Sequence, residues 1–223
     1  MKKDSRKDRT APIDLEKSYA KQGYQRIAGI DEAGRGPWAG SLYAGVVALP
    51  INAPNLEERL HGVRDSKDMT PRQRDAVLQA IYDTATAWGV GVAPVAYINE
   101  HGVSKALAYA YQAALDDALA RFGFTPDFLL LDYTRWQTAP APSVNIVQGD
   151  KKSLSIACAS VLAKHAQHQA MLELAEAYPH YGFEQHNGYG TTRHRQAITT
   201  HGVLTGVHRL TFKPIKHALE GKA

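Results

Sequence analysis

Residues 27–49 read IAGIDEAGRGPWAGSLYAGVVAL, and their pattern decides how the chain folds. Two apolar runs, IAGI (27–30) and SLYAGVVAL (41–49), flank the glycine-rich turn DEAGRGPWAG (31–40), which is the signature of two strands closed into a β-hairpin. Inside the turn, GRGPWA also matches the G-x-G-x-x-A of dinucleotide-binding folds. That fingerprint must open a helix, whereas Pro37 and a β-rich run follow here, so it is set aside. No GK[ST] ending marks a phosphate-cradling P-loop either.

Beyond the hairpin, helices and strands alternate. Thr70-Pro71-x-Gln73 supplies an N-cap, a proline for the first helical position and a capping-box glutamine, and Ala76, Val77, Ala80 and Ile81 recur at helical spacing, predicting a helix to about Trp88. VGVAPVAY (90–97) is a strand candidate, after which Leu107, Tyr111, Ala114, Leu115, Ala118 and Leu119 mark one face of a helix ended by Gly123. DFLLLD (127–132) reads as a short buried strand and VNIVQ (144–148) as another. Ser153 to Ala177 reads as a long helix stopped before Pro179, and a further helix is expected near 191–201. The result is an α/β domain in which helices cover a mixed sheet. Residues 1–25 are polar, basic and aperiodic and read as a mobile tail; 26–215 form one globular unit, and 216–223 a short C-terminal tail.

The net charge of +4 is unevenly spread: residues 1–25 carry +3, residues 26–184 carry −4 and residues 185–223 carry +5, the last with five of the ten histidines. An acidic body beside a basic stretch suits either a carboxylate metal site flanked by a phosphate-binding surface or an ordinary solvated face. No run approaches the roughly 18 apolar residues of a membrane helix, and the charged start lacks the apolar segment of a signal peptide, so a soluble, cytoplasmic protein without a membrane partner is expected. Cys158 is the sole cysteine, which excludes an internal disulfide and a cysteine-rich metal site, and it reads as a small buried hydrophobe. His186 and His194 are expected at the surface or beside phosphate rather than on a metal.

Four acidic residues carry the chemistry. Asp31 and Glu32 end the first strand, Asp132 ends DFLLLD, and Asp150 precedes the long helix, so apolar strands deliver carboxylates to one sheet edge. Gathered there they repel one another unless a cation holds them, and hard oxygen donors select Mg²⁺ or Mn²⁺ over zinc. Two such ions can activate water and stabilise the leaving oxygen of a phosphodiester, which is nuclease chemistry. Taken singly, each residue also suits a plainer role: Asp150 as a helix cap, Asp132 in an Asx turn, Asp31 and Glu32 on a loop. Neighbouring strand residues face opposite sides, so Glu32 reaches the metal of Asp31 only if the strand bends. Gly34-Arg35-Gly36 allows close backbone approach to a ligand and offers one guanidinium for phosphate or sugar oxygens. Tyr189, between two glycines, on its own reads as closing a turn.

With these stretches GVRDSKDMTPRQR, QGDKKSLSIACASVLAK, YPHYGF, HNGYGT and HRLTFKPI occur in order, and from about Arg26 to Ile215 the chain resembles type 2 ribonuclease H, ribonuclease HII. The resemblance implies an RNase H-like fold, a five-stranded mixed sheet flanked by helices with a helical C-terminal part. It implies an endonuclease, dependent on Mg²⁺ or Mn²⁺, that acts on RNA–DNA hybrids and on duplex DNA containing ribonucleotides. By the same comparison Asp31, Glu32, Asp132 and Asp150 are the catalytic metal ligands. Gly34, Arg35, Gly36 and Tyr189 grip the ribonucleotide, whose 2′-OH separates RNA from DNA. Ser66, Lys67 and Lys164 lie near the phosphates. Ser41-Leu42-Tyr43 departs from the proline and valine-rich strand usual after GRGP-x-AG, without removing a ligand. KHALEGKA lacks a sliding-clamp docking pattern, and a monomer is expected. Another two-metal nuclease of the same fold, such as a junction resolvase, and a non-catalytic hybrid-binding protein are the rival readings.

Overall fold

The computed structural model describes residues 10–221. In chain order the elements are α1 (Asp14–Ala20), β1 (Ile27–Ala33), β2 (Leu42–Ala48), α2 (Leu56–Arg59), α3 (Pro71–Thr84), β3 (Ala87–Ala93), α4 (Val95–Phe122), β4 (Phe128–Asp132), β5 (Ser143–Ile146), α5 (Leu154–Ala177), α6 (Phe183–His186), α7 (Thr192–His201) and α8 (Lys213–Leu219). The five strands form one mixed sheet in the order β3-β2-β1-β4-β5. β1 and β2 pair antiparallel as the expected hairpin, β2 and β3 are antiparallel, and β1–β4 and β4–β5 are parallel.

Period-2 alternation divides the strands between two cores. Ala28, Ile30, Ala44, Val46, Leu129 and Leu131 meet Leu107, Ala110, Tyr111 and Ala114 of α4 on one face. On the other, α5 lies against the sheet at positions without side chains: a Cβ on Gly29 would stand 2.3 Å from the backbone N of Ile156, and one on Gly45 would stand 2.3 Å from the carbonyl oxygen of Ala159. Both glycines are therefore required for the helix to approach so closely.

Five boundaries differ from the sequence reading. Residues 10–25, expected within a tail, are tied to the domain: Ala11 and Ile13 are buried, α1 forms, and buried Glu16 accepts hydrogen bonds from Ser153 Oγ at 2.6 Å, Ser155 N–H at 2.8 Å and Ser155 Oγ at 2.6 Å. The unsatisfied N–H groups at the start of α5 recruit this carboxylate from far away in sequence, a pairing that local polarity hides. The rest of that expected tail, residues 1–9, lies outside the described residues. α3 stops at Thr84 rather than Trp88 because Trp88 pairs with Val47 in the sheet, and β3 stops at Ala93 because Pro94 opens α4. α4 itself begins well before Leu107, with non-helical backbone at Gly102. Finally, α8 carries the chain past the expected boundary at 216 by burying Ile215.

Candidate active site

Parallel pairing of β1 and β4 brings the C-terminal ends of both strands to one edge, and the register Ile30↔Leu131 makes Asp31 and Asp132 neighbours there. By alternation both belong to the face covered by α5. Asp132 Oδ1 accepts the Gly149 N–H at 2.7 Å, tying to the strand end the short 3-10 turn Gly149–Lys151, which carries Asp150. One carboxylate oxygen from each of Asp31, Asp132 and Asp150 lies within 4.8 Å of the others. Asp31 Oδ1 accepts the Glu32 N–H at 2.7 Å, while its Oδ2 is buried with no hydrogen-bond partner.

These oxygens strain against one another. Burial, then the charges of Glu32 and Asp132, push the Asp31 carboxyl well above its ordinary range, tempered by Ser160. Burial, with Asp65 and Asp132, raises Asp150 to about 7. Asp132 is also raised by burial, against the lowering effect of its bond to Gly149. Burial alone would depress Lys67, yet the surrounding Asp31, Asp65, Asp150 and Asp132 raise it overall. An all-carboxylate donor set with an orphaned buried oxygen and an excess of negative charge fits a hard divalent cation.

Glu32 stands apart from this trio. Alternation sends it to the α4 face, where Tyr111 donates to Oε2 and Arg35 Nη1 lies 3.6 Å from Oε1. Burial raises its carboxyl, opposed by the Tyr111 and Arg35 contacts.

Gly34, Arg35 and Gly36 follow β1 at the same edge, with Arg35 Nη1 3.3 Å from Thr134 Oγ1, two residues beyond Asp132. Tyr189, half exposed in the loop before α7, borders this segment: a Cβ on Gly36 would lie 3.3 Å from its ring Cε1. The Trp38 N–H bonds the Gly188 carbonyl at 2.8 Å and joins the two loops. Ser66 Oγ is 2.7 Å from Ser160 Oγ, beside Asp31. Lys164 donates to Gln167 Oε1 at 2.6 Å and is lowered to about 8 by burial, Arg74 and Lys67.

Sequence reasoning missed several neighbours. Asp65, the first residue of the DSK segment, lies beside Asp150 and raises its carboxyl, accepts the Lys67 N–H at 2.9 Å and lies 4.0 Å from Lys151 Nζ. Its position in that motif was the available signal. Tyr111 appeared as core, and Arg209 sat unremarked in HRLTFKPI although it is fully buried. His186 and His194, expected at the surface or beside phosphate, are buried: their rings stack at 4.5 Å, against Phe183. Ring stacking, with hydrogen bonds from His186 Nε2 to the Tyr181 carbonyl and between His194 and both His208 and the Tyr189 carbonyl, offsets the polarity of the imidazoles. Burial lowers His194 and His208 to about 4, so both are neutral.

A family profile described as Ribonuclease HII matches residues 28–215. The ribonuclease HII of Roseiflexus castenholzii is 42% identical over 203 residues, which cover 91% of this chain and 88% of that protein. Among solved structures, the ribonuclease H2 of Pyrococcus horikoshii OT3 superposes with a TM-score of 0.72 at 23% identity, covering 89% of this chain and 99% of its own. Bst-RNase HIII in complex with Mn²⁺ gives 0.66 at 18%, covering 88% and 70%. The architecture is thus the RNase H-like fold.

Proposed function

The chain belongs to the ribonuclease HII family, metal-dependent endonucleases of the ribonuclease H class, and on that premise we propose that it cuts the RNA strand of RNA–DNA hybrids and cuts 5′ of single ribonucleotides embedded in duplex DNA. The products are a 3′-hydroxyl and a 5′-phosphate, and the tasks are ribonucleotide removal and clearing of RNA primers. The observation that carries this reading is the convergence of Asp31, Asp132 and Asp150 oxygens within 4.8 Å, next to a loop pair formed by Gly36 and Tyr189.

Asp31, Asp132 and Asp150, with Glu32 from the opposite face, would hold Mg²⁺ or Mn²⁺; the Mn²⁺ bound by the Bst-RNase HIII relative is consistent with this. When bound, such ions activate water and stabilise a departing oxygen. The remaining residues act on the substrate. Gly34 and Gly36 let the backbone come close to the ribose, Arg35 offers a guanidinium to phosphate or sugar oxygens, and the Tyr189 ring lies under the sugar beside the 2′-OH. Lys67, positively charged among four aspartates, and Ser66 serve the scissile phosphate, with Lys164 behind them. The full partner set is a hybrid or ribonucleotide-bearing duplex, and the working unit is a monomer.

The deciding experiment is cleavage of a duplex with one embedded ribonucleotide, in Mg²⁺, Mn²⁺ and chelator, mapped to the nucleotide. Incision at the 5′ side that vanishes with chelator and in Asp31→Asn or Asp132→Asn is expected. Undiminished cutting by either variant removes those residues from the mechanism, and cutting of all-DNA four-way junctions instead would favour a resolvase.

A further inference from the structure

Two consecutive residues outside the carboxylate edge reach both halves of the substrate grip. Arg209 is fully buried, and its guanidinium is spent on backbone: Nε donates to the Gly40 carbonyl at 2.9 Å, Nη1 to Arg35 at 3.0 Å, and Nη2 to Gly34 at 2.5 Å and Ser41 at 3.2 Å. A planar fork with fixed donors is suited to clamping several carbonyls at once, which a lysine cannot do. Its own N–H bonds the Trp38 carbonyl at 2.7 Å, so the loop from Gly34 to Ser41 is held along its length.

His208 reaches the other half through a relay. His208 Nδ1 lies 2.9 Å from the Leu204 N–H and 3.3 Å from the Leu204 carbonyl; the shorter contact assigns Nδ1 as an acceptor and leaves the proton on Nε2. His208 Nε2 lies 3.1 Å from His194 Nε2, which must then accept, so the His194 proton sits on Nδ1 and is donated to the Tyr189 carbonyl at 3.0 Å. This tautomer assignment satisfies the Leu204 N–H, His208–His194 and His194–Tyr189 bonds together, at the expense of the longer contact from His208 Nδ1 to the Leu204 carbonyl. His186 stacks on His194 and bonds the Tyr181 carbonyl through Nε2 at 2.8 Å, which steadies the relay without joining it.

We propose that His208 and Arg209 are positioning residues for the ribonucleotide grip, Arg209 fixing the Gly34-Arg35-Gly36 backbone and His208 fixing Tyr189 through His194. This rests on the reading that those segments hold the ribonucleotide. Neither side chain touches substrate; each sets the place of a group that does.

The test exploits imidazole geometry in the full-length protein. Gln mimics the Nε2 position and Asn the Nδ1 position. At 208 the outgoing donor is Nε2, so Gln recovers it and Asn does not; at 194 the outgoing donor is Nδ1, so Asn recovers it and Gln does not. Steady-state cleavage of the single-ribonucleotide duplex in Mg²⁺ should show KM raised about tenfold in His208→Asn and His194→Gln, with kcat within about threefold, and most of the loss recovered in His208→Gln and His194→Asn. Added to Tyr189→Ala, His208→Asn should cost nothing more. Arg209→Lys, which keeps the charge and loses the fork, should raise KM to a similar degree. A purely structural role predicts the same Asn-versus-Gln order at both positions, or an equal penalty with and without Tyr189, and either result overturns the proposal. If one variant does not fold, the pair at the other position decides. A wild-type enzyme that ignores the ribonucleotide defeats the functional reading itself, whereas cleavage without the crossed pattern defeats only this inference.

Discussion

The Tyr111 hydroxyl, on α4, donates to Glu32 Oε2, so a core side chain on one face of the sheet restrains an acidic residue adjacent to Asp31, which belongs to the other face. Tyr111→Phe keeps the ring and deletes the bond, leaving a largely buried carboxylate without its strongest donor. A loss of about 2 kcal/mol is expected from urea unfolding, with an unchanged m-value. An unaltered midpoint would show that the bond contributes nothing net.

The crowded carboxylates predict opposite effects on stability and activity. Without metal, Asp31→Asn removes a buried charge opposed by Glu32 and Asp132, and the melting temperature should rise by about 2–4 °C. Mg²⁺ should stabilise the wild type and leave the variant nearly unmoved, while cleavage falls by about a hundredfold or more. Equal Mg²⁺ shifts in both proteins would remove Asp31 from the ion site.

Glu16 gathers three donors at the N-terminus of α5. Glu16→Ala strands buried hydroxyls and a helix-terminal N–H, and should cost about 2–3 kcal/mol while leaving KM for the hybrid unchanged, because no substrate group is involved. A variant as stable as the parent in thermal melts contradicts this role.

His194 and His208, lowered to about 4 by burial, give a pH dependence of defined sign. Between the ordinary histidine value of about 6.5 and about 4, the unfolded chain binds protons that the folded protein refuses. Their contribution is therefore complete above about 6.5 and is lost as pH falls toward 4. His208→Gln cannot titrate, so its stability should fall less steeply across that window, by up to about 1.4 kcal/mol per pH unit. Parallel pH curves for the two proteins would refute it.

Much of this was readable because the signals are local. The hairpin at 27–49, the cap at Thr70 with its proline and glutamine, and the long helix ending before Pro179 each follow from residues within one or two turns of chain. The period-2 objection to Glu32 is equally local, and it anticipated the separation of Glu32 from the aspartate trio. The misread segments are those in which a distant partner prevailed: Trp88 left its helix for the β2 ladder, and residues 10–25 gave up the character of a tail to Glu16 and the start of α5.

From its sequence alone, this chain determined the mixed α/β architecture, the strand ends that bear Asp31 and Asp132, and the resemblance that names its family, since strand period, capping and motif order depend on neighbours in the chain. Only the tertiary structure decided that Asp65 joins Asp150, that Arg209 grips the backbone of Gly34 and Arg35, and that His208 speaks to Tyr189 through His194. Those contacts depend on how sheet register and helix packing bring remote segments to within about 3 Å, where hydrogen bonds form. No local pattern encodes that distance.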